Sequence, residues 1–118
     1  MKIQTIVNLL RAEVLCGGER LENEVHSACG SDMMSDVLAY VKEQAVLLTG
    51  LVNPQVIRTA MMMDMRCIVF VRGKRPSEEM VALAEENGIV LLTTEERMYV
   101  ACGKLYAGGL AGDGEDAS

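Results

Sequence analysis

Two patterns of apolar residues alternate along the chain. Short unbroken apolar runs indicate strands that are covered on both faces, and stretches with apolar residues three or four positions apart indicate amphipathic helices. In the second half, the runs AVLLTGL, CIVFV and IVLLTT recur about 22 residues apart, with a helical stretch after each. Such alternation predicts parallel strands that are joined by right-handed crossovers.

The first half of the chain supplies the remaining elements. Residues 3–10 have helical spacing, and the run AEVLCGG after them predicts a strand that ends in a glycine turn. VHSACGSD predicts another strand, and Met33 to Lys42 predict a helix with Asp32 or Ser31 as its N-cap. Further helices are expected from Pro54 to about Asp64, from Pro76 to Asn87 and from Glu95 to Tyr106. The predicted fold class is α/β, with a mostly parallel sheet flanked by helices.

Length and hydropathy predict one domain without a membrane span. The 118 residues suit one core, and residues 1–110 form the predicted α/β domain. We expect the acidic, glycine-rich residues 111–118 to be a disordered tail, since they have too few apolar side chains to pack. No apolar run approaches the roughly 18 residues that cross a bilayer, and the N-terminus lacks the features of a signal peptide. The expected location is the cytoplasm.

Charge and cysteine content exclude several classes of function. The net charge of −6 argues against nucleic-acid binding, which needs a basic surface to neutralise phosphates. Cys16, Cys29, Cys67 and Cys102 are far apart, and His26 is the single histidine. We therefore predict neither a metal site nor a disulfide framework, and we expect buried thiols. Redox sensing, or a metal shared between subunits, is the alternative for these cysteines.

Candidate ligand contacts follow from the predicted parallel sheet. Ligands bind beyond the carboxyl ends of such strands, where loop amides and helix N-termini converge. The loops at these ends offer hydroxyls, glycines and cations that suit a phosphate or another small anion. Five of the eleven basic residues also fall between positions 58 and 75, against one acid. The predicted ligand-binding residues are Thr49, Gly50, Asn53, Arg58, Arg72, Gly73, Lys74, Thr93 and Thr94. The alternative is that the polar residues cap helices and that residues 72–75 form a solvated loop.

Motifs for catalysis are not found in the sequence. Neither a P-loop nor a G-x-G-x-x-G fingerprint occurs, and His26 has no recognisable nucleophile beside it. The pairs Ser31-Asp32 and Ser35-Asp36 could hold a cation or position a water, but capping of a helix start explains them more simply. No catalytic residue and no cofactor are predicted, and we expect the chain not to be an enzyme.

Three consecutive methionines, Met61, Met62 and Met63, occur on one predicted helix. Three consecutive side chains cannot all face one core, so at least one of them must point elsewhere. Because methionine suits adaptable contact surfaces, we predict a subunit or partner interface here, with core filling as the alternative.

Several segments together resemble the DRTGG-domain family of bacterial and archaeal proteins. They are SDMMSDVLAY, LLTGLVNPQVIRTA, IVFVRGKRPSEEMVALAEENGIVLLTT and ACGKLYAGGL, and the resemblance covers about residues 1–110. The family is similar to the N-terminal domain of HPr kinase/phosphorylase, which implies a Rossmann-like three-layer fold and a homodimeric regulatory domain. It occurs beside CBS domains in pyrophosphatases that bind adenine nucleotides or diadenosine polyphosphates. Stand-alone copies resemble small proteins that accompany iron hydrogenases, and no catalytic residues are assigned to the family.

The sequence and the resemblance together predict a non-enzymatic, ligand-sensing regulatory domain. Its expected ligand is a small anion, with an adenine nucleotide as the candidate, bound at the carboxyl ends of the strands. The alternative is an interaction module that docks on a redox enzyme of the hydrogenase type, or on a kinase, through the methionine-rich helix.

Overall fold

The computed structural model describes residues 1–40 and 44–110. Helices and strands alternate in the predicted order, and a short 3₁₀ turn at Gly18–Arg20 follows the first strand. The predicted tail at 111–118 and the predicted end of the second helix at residues 41 and 42 lie outside the described residues. The elements are α1 (Ile3–Leu10), β1 (Glu13–Cys16), β2 (Ser27–Gly30), α2 (Met34–Tyr40), β3 (Ala45–Thr49), α3 (Pro54–Met62), β4 (Cys67–Phe70), α4 (Glu78–Glu86), β5 (Val90–Thr93) and α5 (Met98–Ala107).

The five strands form one sheet in the order β1-β5-β4-β3-β2. Strands β2, β3, β4 and β5 are parallel, and β1 pairs with β5 in the antiparallel direction. Every residue of β3, β4 and β5 is buried, as expected for parallel strands with helices on both faces. The predicted α/β class and the mostly parallel sheet are therefore confirmed.

Alternate side chains of the central strands supply two cores, one on each face of the sheet. On one face, Leu47, Ile68 and Leu91 pack against α2, α3 and α4. On the other, Val46 and Val69 belong to the core that includes the buried sides of α1 and α5. The result is the predicted three-layer arrangement of helices, sheet and helices. No helix in residues 1–40 or 44–110 has both the length and the apolar character needed to cross a membrane.

Capping side chains set the starts of α3 and α4. The Asn53 carboxamide oxygen accepts a hydrogen bond from the Gln55 N–H (2.8 Å), and Pro54 occupies the first turn of α3, as predicted. Ser77 caps α4 in the same way, so this helix begins at Glu78 and not at Pro76. Each cap satisfies an N–H group that has no partner within the helix.

The last helix begins three residues later than predicted, at Met98 and not at Glu95. The Glu96 carbonyl accepts a hydrogen bond from the Arg72 N–H (2.8 Å), and the Thr94 carbonyl accepts one from the Gly73 N–H (2.8 Å). The segment after β5 is therefore held by the loop after β4, and helical geometry starts beyond that contact.

Candidate functional site

The carboxyl ends of the four parallel strands lie along one edge of the sheet, which we call the carboxyl edge. The strands β2, β3, β4 and β5 are consecutive neighbours there. They are followed by Asp32, Gly50, Arg72 and Thr94, respectively. Residues from four separate parts of the sequence are thereby aligned along one surface.

Asp32 connects three of the four strand ends. Its Oδ1 atom accepts hydrogen bonds from the Thr49 hydroxyl (3.0 Å) and from the Gly50 N–H (2.7 Å). Its Oδ2 atom lies 4.0 Å from Nη2 of Arg72, and both side chains are about half exposed. The carboxylate predicted to cap α2 therefore serves the loop after β3. Sequence reasoning missed this role, although an aspartate in the loop that follows a strand of a parallel sheet is a usable signal.

Gly50 gives the Arg72 guanidinium room to cross the carboxyl edge. A Cβ atom at position 50 would overlap Nη2 of Arg72, and the next nearest atoms also belong to that guanidinium. The arginine thus lies directly over the Gly50 backbone and beside Asp32. This contact brings together two of the predicted ligand-binding residues.

The loop after β4 is fixed by an unusual backbone conformation. Arg72 and Gly73 both have positive φ angles, 58° and 67°, which is uncommon for a residue with a side chain. A Cβ atom at Gly73 would lie 3.0 Å from each carboxylate oxygen of Glu95, so the glycine also makes space for that side chain. The turn holds the base of the Arg72 side chain against the segment after β5.

Hydroxyls at the strand ends are used by the fold itself. The Thr93 hydroxyl donates to the Lys74 carbonyl (2.7 Å), and the Thr94 hydroxyl donates to the Leu10 carbonyl (2.7 Å). Both threonines and Thr49 are buried. These side chains shape the carboxyl edge, and direct contact between any of them and a ligand stays a prediction.

The predicted cations fall into three different environments. Lys74 is exposed and pairs with no carboxylate within residues 1–40 and 44–110, and Arg72 has only its distant contact with Asp32. Arg75 is already held by two hydrogen bonds to Glu13, each 3.0 Å long. Arg58 lines a groove between α3 and α4, beside Glu79. Of these four cations, Arg72 and Lys74 are thus the two that lie in the loop after β4 without a close carboxylate partner among the described residues.

A comparison with protein families identifies the domain. The family model described as DRTGG domain matches residues 5–106. The chain belongs to the DRTGG-domain family. This confirms the family that the sequence segments indicated, whereas no curated protein gives a significant match.

A solved structure has the same fold as this DRTGG domain. It contains the CBS and DRTGG domains of the regulatory region of a Clostridium perfringens pyrophosphatase, in complex with the activator diadenosine tetraphosphate. The TM-score is 0.71 at 18% sequence identity, and the match covers 88% of this chain and 45% of that one. The chain therefore spans less than half of its structural neighbour.

The pair of Glu13 and Arg75 gives this DRTGG domain a pH-dependent contact. Hydrogen bonding to Arg75 lowers the pKa of Glu13 below its usual value of 4.5. A lowered carboxyl pKa stabilises the fold above pH 4.5, and the contribution disappears as the pH falls through the folded-state pKa. We expect Glu13→Gln to be slightly less stable than the wild type at pH 7, and the difference to shrink as the pH falls below 4.5. Urea denaturation at pH 7 and at a series of acidic pH values measures this, and a difference that does not change with pH would contradict it.

The four cysteines of the DRTGG domain, all within the described residues, form no disulfide with one another. Cys16 and Cys67 are buried, whereas Cys29 and Cys102 are partly buried. Burial raises the pKa of Cys16, Cys67 and Cys102, so these three thiols stay protonated at neutral pH. Within residues 1–40 and 44–110, no group of three or more His, Cys, Asp or Glu side chains is arranged to hold a metal ion.

The three consecutive methionines at the end of α3 differ in exposure. Met62 is 72% exposed and Met61 is 41% exposed, whereas Met63 packs against the core. At least one methionine does point away from the core, as the sequence required. Their use as an interface stays a prediction.

Proposed function

We propose that this DRTGG domain is a non-enzymatic regulatory domain that binds a small anion at the carboxyl edge, with an adenine nucleotide as the candidate. The observation that carries the proposal is the Arg72 guanidinium, which is held over Gly50 and half exposed to solvent. The structural neighbour supports the choice of ligand class, because its regulatory region is in complex with diadenosine tetraphosphate.

Side chains must provide the main contacts to the anion. The Gly50 N–H already donates to Asp32, and the N–H groups of Arg72 and Gly73 donate to the segment after β5. The Arg72 guanidinium and the Lys74 ammonium are better placed, since neither has a close carboxylate partner in the part of the chain that the structure describes. Arginine also presents a planar fork of donors that matches phosphate oxygens.

Breaking the contact between Arg72 and Asp32 costs little energy. The contact is 4.0 Å long and half exposed, and exposed ion pairs contribute only about 0–1 kcal/mol. A phosphate oxygen would give a shorter, charge-assisted hydrogen bond. Asp32 would retain its hydrogen bonds to Thr49 and Gly50, so the loop after β3 would keep its shape.

A matched pair of arginine substitutions tests the site. Arg72 lies two residues after the end of β4, at the carboxyl edge. Arg66 directly precedes β4, at the opposite edge of the sheet. We expect Arg72→Gln to weaken nucleotide binding by at least about tenfold, since hydrogen bonds to charged groups contribute about 1.5–3 kcal/mol. Arg66→Gln removes the same charge and should leave the affinity unchanged. Thermal-shift titrations with AMP, ADP, ATP and diadenosine tetraphosphate give the affinities.

Two results would overturn the proposal. One is the lack of any stabilisation at millimolar nucleotide, because ligand at 100 times its dissociation constant adds about 2.7 kcal/mol. The other is an equal loss of affinity in the two arginine variants, which would show that net charge matters and not the carboxyl edge.

A second candidate function is docking on a partner enzyme, either a redox enzyme of the hydrogenase type or a kinase. The exposure of Met61 and Met62 on α3 favours it, since adaptable methionine surfaces are common at protein interfaces. This function requires no nucleotide, so the titrations above separate it from the first.

We also infer that the domain acts as a homodimer. Large apolar side chains are exposed on α3 and on α5, among them Met62, Tyr99 and Tyr106. Patches of this kind on a small domain commonly mark contact sites.

A further inference from the structure

The outer face of α5 is apolar and uncovered. Tyr99 is 89% exposed, Tyr106 is 67% exposed and Val100 is 41% exposed, and together with Gly103 and Ala107 they line a shallow groove. The inner face of the same helix is buried in the core. A helix that is apolar all round is normally covered on every side. Within the described residues, nothing covers the outer face of α5.

No contact among the described residues requires a glycine at position 103. Gly103 occupies the middle of α5, and a Cβ atom at this position would meet no atom within 4 Å. Glycine inside a helix is less stable than alanine, because it loses more conformational freedom on folding. Open space beside a glycine on an apolar face allows the backbone of a second helix to approach closely.

We propose that two copies of this domain meet through the outer faces of their α5 helices, with a two-fold axis near Gly103. The proposal rests on the proposed homodimer and names its surface. Tyr99 and Ala107 lie four residues on either side of Gly103. In an antiparallel pair of helices, the Tyr99 ring of one copy therefore meets the small Ala107 side chain of the other. The same surface serves both copies, as a two-fold interface demands.

Charge favours a second copy as the occupant of this face. The chain carries a net charge of −6, so two copies repel each other over most of their surfaces. Between positions 99 and 107, Lys104 is the single charged residue, and it is paired with Glu96 of its own chain. Two acidic copies can thus approach along α5 without bringing carboxylates face to face.

The two exposed tyrosines supply about half of the area that a specific interface needs. Buried aromatic side chains cover about 150–250 Å² each, so the two exposed tyrosines would bury roughly 300 Å² per copy. Both copies together reach about half of the lower limit of 1,200 Å² for a specific interface. Val100, Ala107 and the backbone around Gly103 add to this area.

Substitutions on α5 test the surface in the full chain. Sedimentation equilibrium should show a wild-type dimer, and Tyr99→Glu should raise its dissociation constant at least a hundredfold. Gly103→Ala should raise the constant about tenfold, while circular dichroism shows an unchanged or higher helix content. This opposite pair of effects separates an interface role from a folding role. Met62→Glu, on the exposed face of α3, is the control and should leave the dimer intact.

Different failures have different meanings. If the wild type is a dimer that resists Tyr99→Glu and Gly103→Ala, the α5 surface is wrong and the homodimer stands. If Met62→Glu alone dissociates the dimer, the interface lies on α3, which also overturns the α5 surface. If the wild type is a monomer at ~100 µM, both the homodimer and its surface are wrong, whatever the nucleotide titrations show.

Discussion

Replacement of Gly17 with alanine should lower the free energy of unfolding by about 2–4 kcal/mol. Gly17 directly follows β1 and has a φ angle of +85°, a conformation that residues with side chains disfavour by about 1–2 kcal/mol. The new Cβ atom would also lie 2.9 Å from Cγ2 and 3.0 Å from Cα of Val90. The Cα atom belongs to a buried strand that cannot move aside, so the clash adds to the backbone strain.

The neighbouring glycine provides a control for this substitution. Gly18 does not have a positive φ angle, and a Cβ atom there would meet nothing within 4 Å. Gly18→Ala should change stability by less than about 0.5 kcal/mol, as for most surface substitutions. Urea denaturation of the two variants measures the contrast. Similar midpoints for both would refute the tight packing of the β1 end against β5.

The Thr94→Val variant should lose about 1–3 kcal/mol of stability, although valine has nearly the same shape. The buried Thr94 hydroxyl donates to the Leu10 carbonyl (2.7 Å) and accepts from the Glu96 N–H (3.2 Å). Valine would leave both backbone groups without this partner, in a place that water reaches poorly. Differential scanning calorimetry and urea denaturation give the loss.

Thr5→Val is the matched control for Thr94. Thr5 is exposed on α1, so its hydroxyl remains hydrated and the change should stay within about 0.5 kcal/mol. An equally mild effect of Thr94→Val would mean that the hydroxyl does not join α1 to the carboxyl edge. The variant also separates a structural role from ligand binding, because a threonine that only shapes the loop alters affinity little once the domain is folded.

The sheet could be predicted because its central strands are buried on both faces. The runs around Val46, Ile68 and Leu91 have no polar interruption, a pattern that surface strands do not show. The antiparallel direction of β1 was not predictable, because tertiary packing decides which way β1 runs beside β5 and the local sequence pattern does not. Helix ends were predicted well where a side chain caps them, as at Asn53, and less well where distant backbone groups decide, as at Glu96.

The candidate site was predictable in location but not in detail. The rule for parallel sheets selects the loops that contain Gly50 and Arg72, and the structure brings those two residues into contact. The hydrogen bonds of Asp32 to the β3 end join residues 17 or 18 positions apart, and the pair of Glu13 and Arg75 joins residues 62 positions apart. The pair of Glu13 and Arg75 leaves no signal in the spacing along the chain, since tertiary packing alone creates it.

The outer face of α5 shows another limit of sequence reasoning. The helix itself was predicted, but its low contrast between apolar and polar sides gives no indication of which face is buried. The structure assigns Ala101 and Leu105 to the core and leaves Tyr99 and Tyr106 outside. An unexplained exposed surface thus becomes visible only after the fold is known.

An amide-resolved NMR titration with ATP tests most directly whether the carboxyl edge binds an anion. We predict saturable shifts of the backbone amides of Gly50, Arg72 and Gly73, and their loss in Arg72→Gln. The opposite edge of the sheet has a small cleft lined by Asn23, Gln44 and Arg66, whose amides should not move. Saturable shifts confined to that cleft, or no shifts at millimolar ATP, would contradict a ligand site at the carboxyl edge.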